Sequence, residues 1–247
     1  MRHHLHLLKA GLLLSGGIDS AVLLAQLLNR GCQVVPFYIR TGCVWQTEEL
    51  VAIRRFLAQL ARPNLQGLVE FEMPLADLYG THWSLSGVDV PDDRSPDEAV
   101  FLPGRNPLLL IKPALWCRTH GIAHLALATL AGNPFQDATP EFFAHFEAML
   151  HAALGGEIQI ARPLERMSKS HVMEMGRNLP LDLTFSCLSP VEGMHCGRCN
   201  KCAERQAAFS LVAMPDPTEY ADSGVVSKQK ALAPVADAPG SPVAPHP

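Results

Sequence analysis

The sequence predicts an α/β fold: a parallel sheet flanked by helices, with a cysteine-stapled segment near the C-terminus. Three observations predict it. Strand-like apolar runs alternate with helix-period segments along most of the chain. A Ser-Gly-Gly bend carries the first apolar run directly into the first helix. Far downstream, Cys187, Cys196, Cys199 and Cys202 are separated by eight, two and two residues, a spacing that suits a tetrahedral zinc ion.

Taken in order, Gly11 to Leu14 opens the sheet, and Ser15-Gly16-Gly17-Ile18-Asp19-Ser20 turns it into a helix that begins near Ser20. Two glycines let backbone N–H groups approach an anion closely, and the first helical turn adds orphan donors and a positive dipole end. Phosphate is expected at Ser15, Gly16, Gly17, Ile18, Asp19 and Ser20. A strand-to-helix turn can also use glycine and a serine or aspartate cap for local reasons alone. The pattern is neither a Walker loop, since no Gly-Lys-Ser/Thr follows, nor a G-x-G-x-x-G dinucleotide fingerprint.

Gln33 to Ile39 is β-branched and aromatic and reads as the second strand; the amphipathic stretch Gln46 to Leu60 reads as the second helix. Val69 to Met73 is the third strand. Between Ala76 and Leu102 the chain turns polar, with Asp89, Asp92, Asp93, Asp97 and Glu98 near Pro91 and Pro96, which predicts a mobile loop able to act as a lid. Pro107 to His120 reads as a helix despite Pro113, Ile122 to Thr129 as a buried strand and Phe142 to Leu154 as another amphipathic helix. From about Asp222 the sequence is rich in Pro and Ala without periodicity, so a domain over 1–221, containing the zinc segment 187–202, and a disordered tail over 222–247 are expected.

At 247 residues and 48% hydrophobic composition the chain can bury a sizeable core. A net charge of −4 offers no broad basic footprint, so a small-molecule substrate is expected and nucleic acid is not. No apolar run approaches the ~20 residues that cross a bilayer. The His-rich start, without a signal-peptide pattern, predicts a reducing cytoplasmic setting in which the four cysteines hold metal; a disulfide or redox pair is the competing reading. A complete cysteine set leaves His195 spare and leaves the metal no open position, hence a structural role. Cys32, Cys43 and Cys117 read as structural.

Three smaller clusters can complete a site. Pro103 and Gly104 force a turn that presents Arg105 and Asn106 at a helix start, where a planar guanidinium can grip carboxylate or phosphate; a surface arginine beside a cap is the plainer reading. Gly132 to Glu141 follows an apolar strand, and ligands of open parallel sheets bind beyond strand carboxyl ends. There Asp137 can bond amide-like N–H groups and Phe135 can stack on a ring, while Thr139 and Pro140 start a helix in any case. Lys169, just inside a helix start, is misplaced for the dipole unless an anion binds there or the side chain is simply solvated.

The Ser15–Ser20 loop resembles the pyrophosphatase loop of ATP enzymes that make adenylated intermediates. With Pro103–Asn106, Pro163-Leu164 with Lys169, the four cysteines, and Glu204, Arg205 and Phe209 following them, the chain resembles the 7-cyano-7-deazaguanine synthase family across roughly 10–212. The resemblance implies an adenine nucleotide alpha hydrolase-like, Rossmann-like fold and an ATP-dependent carbon–nitrogen ligase of queuosine biosynthesis. It implies that 7-carboxy-7-deazaguanine is adenylated, that ammonia gives an amide, and that a second ATP drives dehydration to the nitrile. Asp19 would orient Mg2+, Lys169 and Arg105 would offset developing negative charge, Asn106, Phe135 and Asp137 would hold substrate, and Zn2+ would fold the C-terminal segment. It allows a homodimer.

The chain departs from that family's pattern twice. Arg40 to Gln46 stands where an Asp-Tyr-Gly-Gln-Arg-His type of segment is usual, and Thr139 stands where an arginine is usual. A ligase for a different carboxylic acid, or a nucleotide-binding module without catalysis, are the alternatives.

Overall fold

The computed structural model describes residues 9–222, so the expected tail lies outside the described residues. Strands β1 (Lys9–Leu13), β2 (Gln33–Arg40), β3 (Val69–Glu72), β4 (His124–Ala126) and β5 (Gln159–Ala161) form one sheet in the order β3-β2-β1-β4-β5. Every pairing is parallel. The helices are α1 (Ile18–Asn29), α2 (Gln46–Leu60), the single turns α3 (Ala76–Tyr79) and α4 (Trp83–Ser86), then α5 (Arg105–Thr119), α6 (Pro140–Leu154), α7 (Lys169–Met175) and α8 (Asn200–Leu211). This is the α/β architecture the alternating pattern predicts.

Alternation along β1 sorts the two cores. Ala10 and Leu12 face the α1, α2 and α7 side with Val22, Leu24 and Ile53. Val35, Phe37 and Leu125 face the opposite side, with Leu110 and Cys117 of α5 and Phe143 of α6. Gly11 lies where α5 crosses the sheet: a Cβ there would collide with the Phe37 ring and come within 2.7 Å of Cys117 Sγ. The strand keeps glycine because the helix sits so close.

Several boundaries move. The first helix starts at Ile18, earlier than Ser20, and the buried strand expected over Ile122–Thr129 contracts to β4, leaving Leu127–Thr129 to turn away at its carboxyl end. Strand β5 and helix α8 lie in stretches where no sheet or helix is expected from pattern; β5 is only three residues long, too short for a periodicity.

The lid expected between Ala76 and Leu102 is replaced by a tethered segment. Trp83, Leu85, Val90 and Val100 pack with Trp45 and the cysteines in a third cluster, and Trp83 stacks on Trp45 at 5.8 Å between centroids. The Asn200 amide donates to the Pro91 carbonyl and the Asp93 amide to the Arg198 carbonyl, each at 2.9 Å. The acidic residues that make this stretch look like solvent-facing loop are spaced among hydrophobes that bury, and those hydrophobes decide its course.

Candidate functional site

The strand order reverses direction between β1 and β4, and ligands of such sheets bind beyond the strand carboxyl ends at that point. A cavity of about 280 Å³ opens there, walled by Ser15, Asp19, Arg105, Thr129, Lys169 and Glu204 among others.

Its floor is the predicted loop. Gly16 has φ +80°, a region that favours glycine, and a Cβ there would press on Ile53 Cγ1 at 3.3 Å and the Glu49 carbonyl at 3.4 Å. Gly17 stands at the N-cap of α1 and offers no side-chain cap, so the first-turn amides of Ile18, Asp19 and Ser20 are left for a ligand in the cavity they line. The Ser20 hydroxyl donates to the Gly17 carbonyl at 3.0 Å and lies 3.2 Å from the Ser15 hydroxyl. The Phe185 amide donates to the Gly16 carbonyl at 2.8 Å, which fixes the bend from behind.

Above the floor, Lys169 Nζ donates to Asp19 Oδ1 at 2.8 Å and stands 3.9 Å from Glu204 Oε1. Lys201 pairs with the other Glu204 oxygen. Burial opposes the Lys169 charge, but Asp19 and then Glu204 outweigh it and hold its pKa above the usual lysine value. Burial likewise opposes ionisation of Glu204, and Lys201 and Lys169 together outweigh it and pull that carboxyl down. The result is a fixed alternation of charge along one wall.

Arg105 begins α5 on the other wall. Among the described residues no carboxylate pairs with it within 4.0 Å, so its fork of donors is open to an anion. Thr129 Oγ1 is buried in the cavity wall without a partner among the described residues. An open guanidinium, an orphan hydroxyl and uncapped amides fit a triphosphate. Asp19 is an oxygen ligand of the kind a hard cation such as Mg2+ takes.

The predicted ring and amide contacts are arranged otherwise. Asn106 lines the cavity, whereas Asp137 and Phe135 are not in its walls. Gly104 gives α5 no side-chain cap, and Asp137 supplies one from across the gap: its Oδ2 accepts from the Asn106 amide at 3.0 Å, and its carbonyl accepts from Asn106 Nδ2 at 2.8 Å. Phe135 stacks on Phe101 at 5.2 Å.

The cysteines converge. All four Sγ atoms lie within 4.8 Å of one another, with Cys187–Cys199 and Cys196–Cys202 at 3.9 Å. A tetrahedral ion with bonds of about 2.3 Å requires sulfur–sulfur edges of about 3.8 Å, and a disulfide would need about 2 Å. Amides of Leu188, Ser189, Cys196, Cys199 and Cys202 donate to these sulfurs at 3.2–3.4 Å, the environment of thiolates. His195 is the spare it is expected to be: its Nε2 accepts from the Ser186 amide at 3.2 Å, and burial, helped by Arg205, pushes its pKa down to about 3.

Lys201, Ser186 and Thr129 escape sequence reasoning, and Glu204 is found through resemblance alone. The available signal is the capping of α8: Cys199 Sγ accepts from the Cys202 amide, so the cysteine cluster starts the helix that carries Lys201 and Glu204 into the cavity. Arg205, next on α8, is 2% exposed and donates to Thr184 Oγ1, the Leu181 carbonyl and Thr218 Oγ1, pinning this wall.

A glycine turn at the switch point of a parallel sheet, faced by an arginine and a lysine, fits an ATP-utilising α/β enzyme, and four clustered cysteines that could hold a metal ion stand beside it. The chain belongs to the family described as queuosine biosynthesis protein QueC, whose model matches residues 9–213. It is 31% identical over 231 residues to the 7-cyano-7-deazaguanine synthase of Desulfatibacillum aliphaticivorans, covering 86% of this chain and 96% of that one. It is 33% identical over 225 residues to the enzyme of the same name from Aromatoleum aromaticum, covering 86% and 97%. Among solved structures it is similar to the NMN synthetase of Francisella tularensis, with TM-score 0.48 and 16% identity over 85% of this chain and 79% of that one. No helix among the described residues is long and apolar enough to cross a membrane.

Proposed function

We propose that this chain converts 7-carboxy-7-deazaguanine and ammonia to 7-cyano-7-deazaguanine at the expense of ATP. The observation that carries the proposal is the cavity in which the Ser15–Ser20 cradle, Lys169 and Arg105 meet, in a chain of this family.

A carboxylate resists ammonia because its charge repels the nucleophile and oxide is a poor leaving group. Adenylation removes the charge and supplies a leaving group. In this reading the amides of Gly17 to Ser20 hold the departing pyrophosphate, and Lys169 and Arg105 stabilise the charge that builds on the α-phosphate and acyl oxygens. Mg2+ beside Asp19 would screen the phosphates from one another. Asn106, set by Asp137, orients the acid. No side-chain nucleophile is needed. Zn2+ at the four cysteines carries no step: it fastens α8 and the 91–97 stretch so that Lys201, Glu204 and Lys169 keep their places.

The test is incubation of the zinc-loaded protein with ATP, Mg2+, ammonium and 7-carboxy-7-deazaguanine, followed by mass spectrometry and AMP detection. Nitrile with AMP is expected. AMP only with another acid moves the substrate, and no AMP with any acid overturns the ligase reading in favour of a binding module.

A further inference from the structure

Behind the phosphate loop lies a second, much smaller cavity of about 50 Å³, walled by Tyr38, Thr41, Trp45 and Glu49 and sharing Ser15, Arg105 and Leu109 with the main one. A water molecule occupies about 30 Å³ of liquid. The space is large enough for a particle of that size.

Its polar floor is one carboxylate. Glu49 Oε2 accepts from the Tyr38 hydroxyl at 2.8 Å, and the Trp45 side chain donates to the same carboxyl group. Arg105 faces it from α5 without touching it, and the Cys43 thiol faces it from the loop that precedes α2. In the main cavity Asp19 and Glu204 are each ion-paired to lysine. Glu49 has no such partner among the described residues, so it is the carboxylate left for a small cation.

We propose that this small cavity is the ammonium site, with the Glu49 carboxylate holding the cation and accepting its proton. The proposal rests on the ligase reading above. At neutral pH ammonia is almost entirely ammonium, which has no lone pair with which to attack. One proton passes from ammonium to Glu49; the freed lone pair forms the C–N bond at the acyl adenylate; the bond from acyl carbon to phosphate oxygen breaks and its electrons leave on AMP. The nitrogen sheds its second proton to water as the amide forms. Burial, partly opposed by Arg105, Tyr38 and Trp45, moves the Glu49 pKa up to about 7, a value suited to a proton acceptor near neutrality.

The experiment uses the full chain with zinc, Mg2+, ATP and 7-carboxy-7-deazaguanine, and it separates two readouts. Acid-dependent ATP–pyrophosphate exchange reports adenylation and needs no ammonia; amide formation against ammonium concentration reports the nitrogen site. Glu49→Gln is expected to raise the KM for ammonium at least about tenfold at neutral pH relative to its exchange rate. Hydroxylamine, which is already unprotonated at that pH, is expected to restore amination. Tyr38→Phe removes a hydrogen bond that favours the ionised carboxyl and is expected to move the pH profile of the ammonium KM upward. An unchanged ammonium KM in Glu49→Gln, or an equal loss of exchange and amination that hydroxylamine does not rescue, overturns the proposal. Absence of acid-dependent exchange in the unsubstituted protein overturns the ligase reading itself.

Discussion

Lys169 Nζ and Asp19 Oδ1, 150 residues apart in sequence, meet at 2.8 Å over the mouth of the phosphate loop. The pair is largely shielded, with side-chain exposures of 14% and 27%. It joins the first turn of α1 to the first turn of α7, two helix starts whose dipoles both favour an anion between them. A lysine at such a place is unfavourable without negative charge nearby, and here Asp19 supplies that charge.

In the proposed reaction Lys169 would exchange Asp19 for phosphate, and that role predicts an asymmetric outcome. Lys169→Gln is expected to slow adenylation by about 10²–10³, the usual cost of losing one donor to a developing anion. The ammonium KM is expected to stay within about twofold. Asp19→Asn is expected to act on the Mg2+ requirement, raising the metal concentration for half-maximal exchange. Steady-state pyrophosphate exchange against ATP and Mg2+ reads both; equal effects of the two substitutions on every parameter would refute the division of roles.

Removal of metal from the cysteine knot is expected to unfasten more than the knot. The amides of Asp93 and Asn200 and the Asn200 side chain tie the 91–97 stretch to residues beside Cys199. Cys199→Ser, or chelation, should therefore lower the Tm by well over 10 °C, because structural zinc supplies about 10–16 kcal/mol of apparent binding energy to the folded state. Trypsin should then cut faster at Arg94, which lies exposed in the tethered stretch. Elemental analysis of the purified chain should give one zinc per polypeptide, and a chelated protein with unaltered melting and trypsin resistance would contradict this role.

Much of this site is legible in the sequence because its chemistry is local. The Ser15–Ser20 bend, the cysteine spacing and the turn before Arg105 each fit within a few residues, where torsional preference and ligand geometry act directly. Helix α2 falls on Gln46–Leu60 as its periodicity predicts. What pattern cannot reach is partnership across the chain. Asp137 reads as a substrate ligand from its place after a strand, but the uncapped end of α5 claims it. The Ala76–Leu102 stretch reads as a lid because its carboxylates dominate its composition, yet Trp83 and Val100 decide where it lies. Glu49 carries no sequence signal at all: it is one acidic residue in the first turn of an amphipathic helix, and only the approach of Tyr38 and Trp45 distinguishes it from Glu48 beside it.

Gly11→Ala tests whether α5 is held against the sheet as closely as it stands. The added Cβ would meet the Phe37 ring and Cys117 Sγ, both in a packed core. Overpacking of this kind costs about 1–3 kcal/mol, and the shift should carry Arg105, at the other end of the same helix, with a rise in the KM for ATP. Gly67→Ala is the control. Nothing lies within 4 Å of a Cβ at Gly67, so that change should be neutral or stabilising by up to about 1 kcal/mol. Chemical denaturation of the two variants is sufficient, and equal stabilities would show that the helix can move away at no cost.

Glu49 also predicts how stability depends on pH. Burial raises its folded-state pKa from 4.5 to about 7, so the folded protein holds this proton more tightly than the unfolded chain. The sign follows directly: below about pH 4.5 both states are protonated and Glu49 costs nothing, and as pH rises through 4.5 to 7 the unfolded chain ionises first and gains on the folded one. Above pH 7 the penalty is complete, on the order of 1–3 kcal/mol once partial solvent contact is allowed for. Glu49→Gln removes the charge and keeps an acceptor for the Tyr38 hydroxyl. The variant should therefore melt several degrees above the unsubstituted protein at pH 8, and the difference should vanish near pH 4.5. A difference of the same size at both pH values would mean that the gain comes from packing and that the carboxylate is not held out of water. The expected combination, higher stability with poorer use of ammonium, is the mark of a residue kept for its chemistry at a cost to the fold.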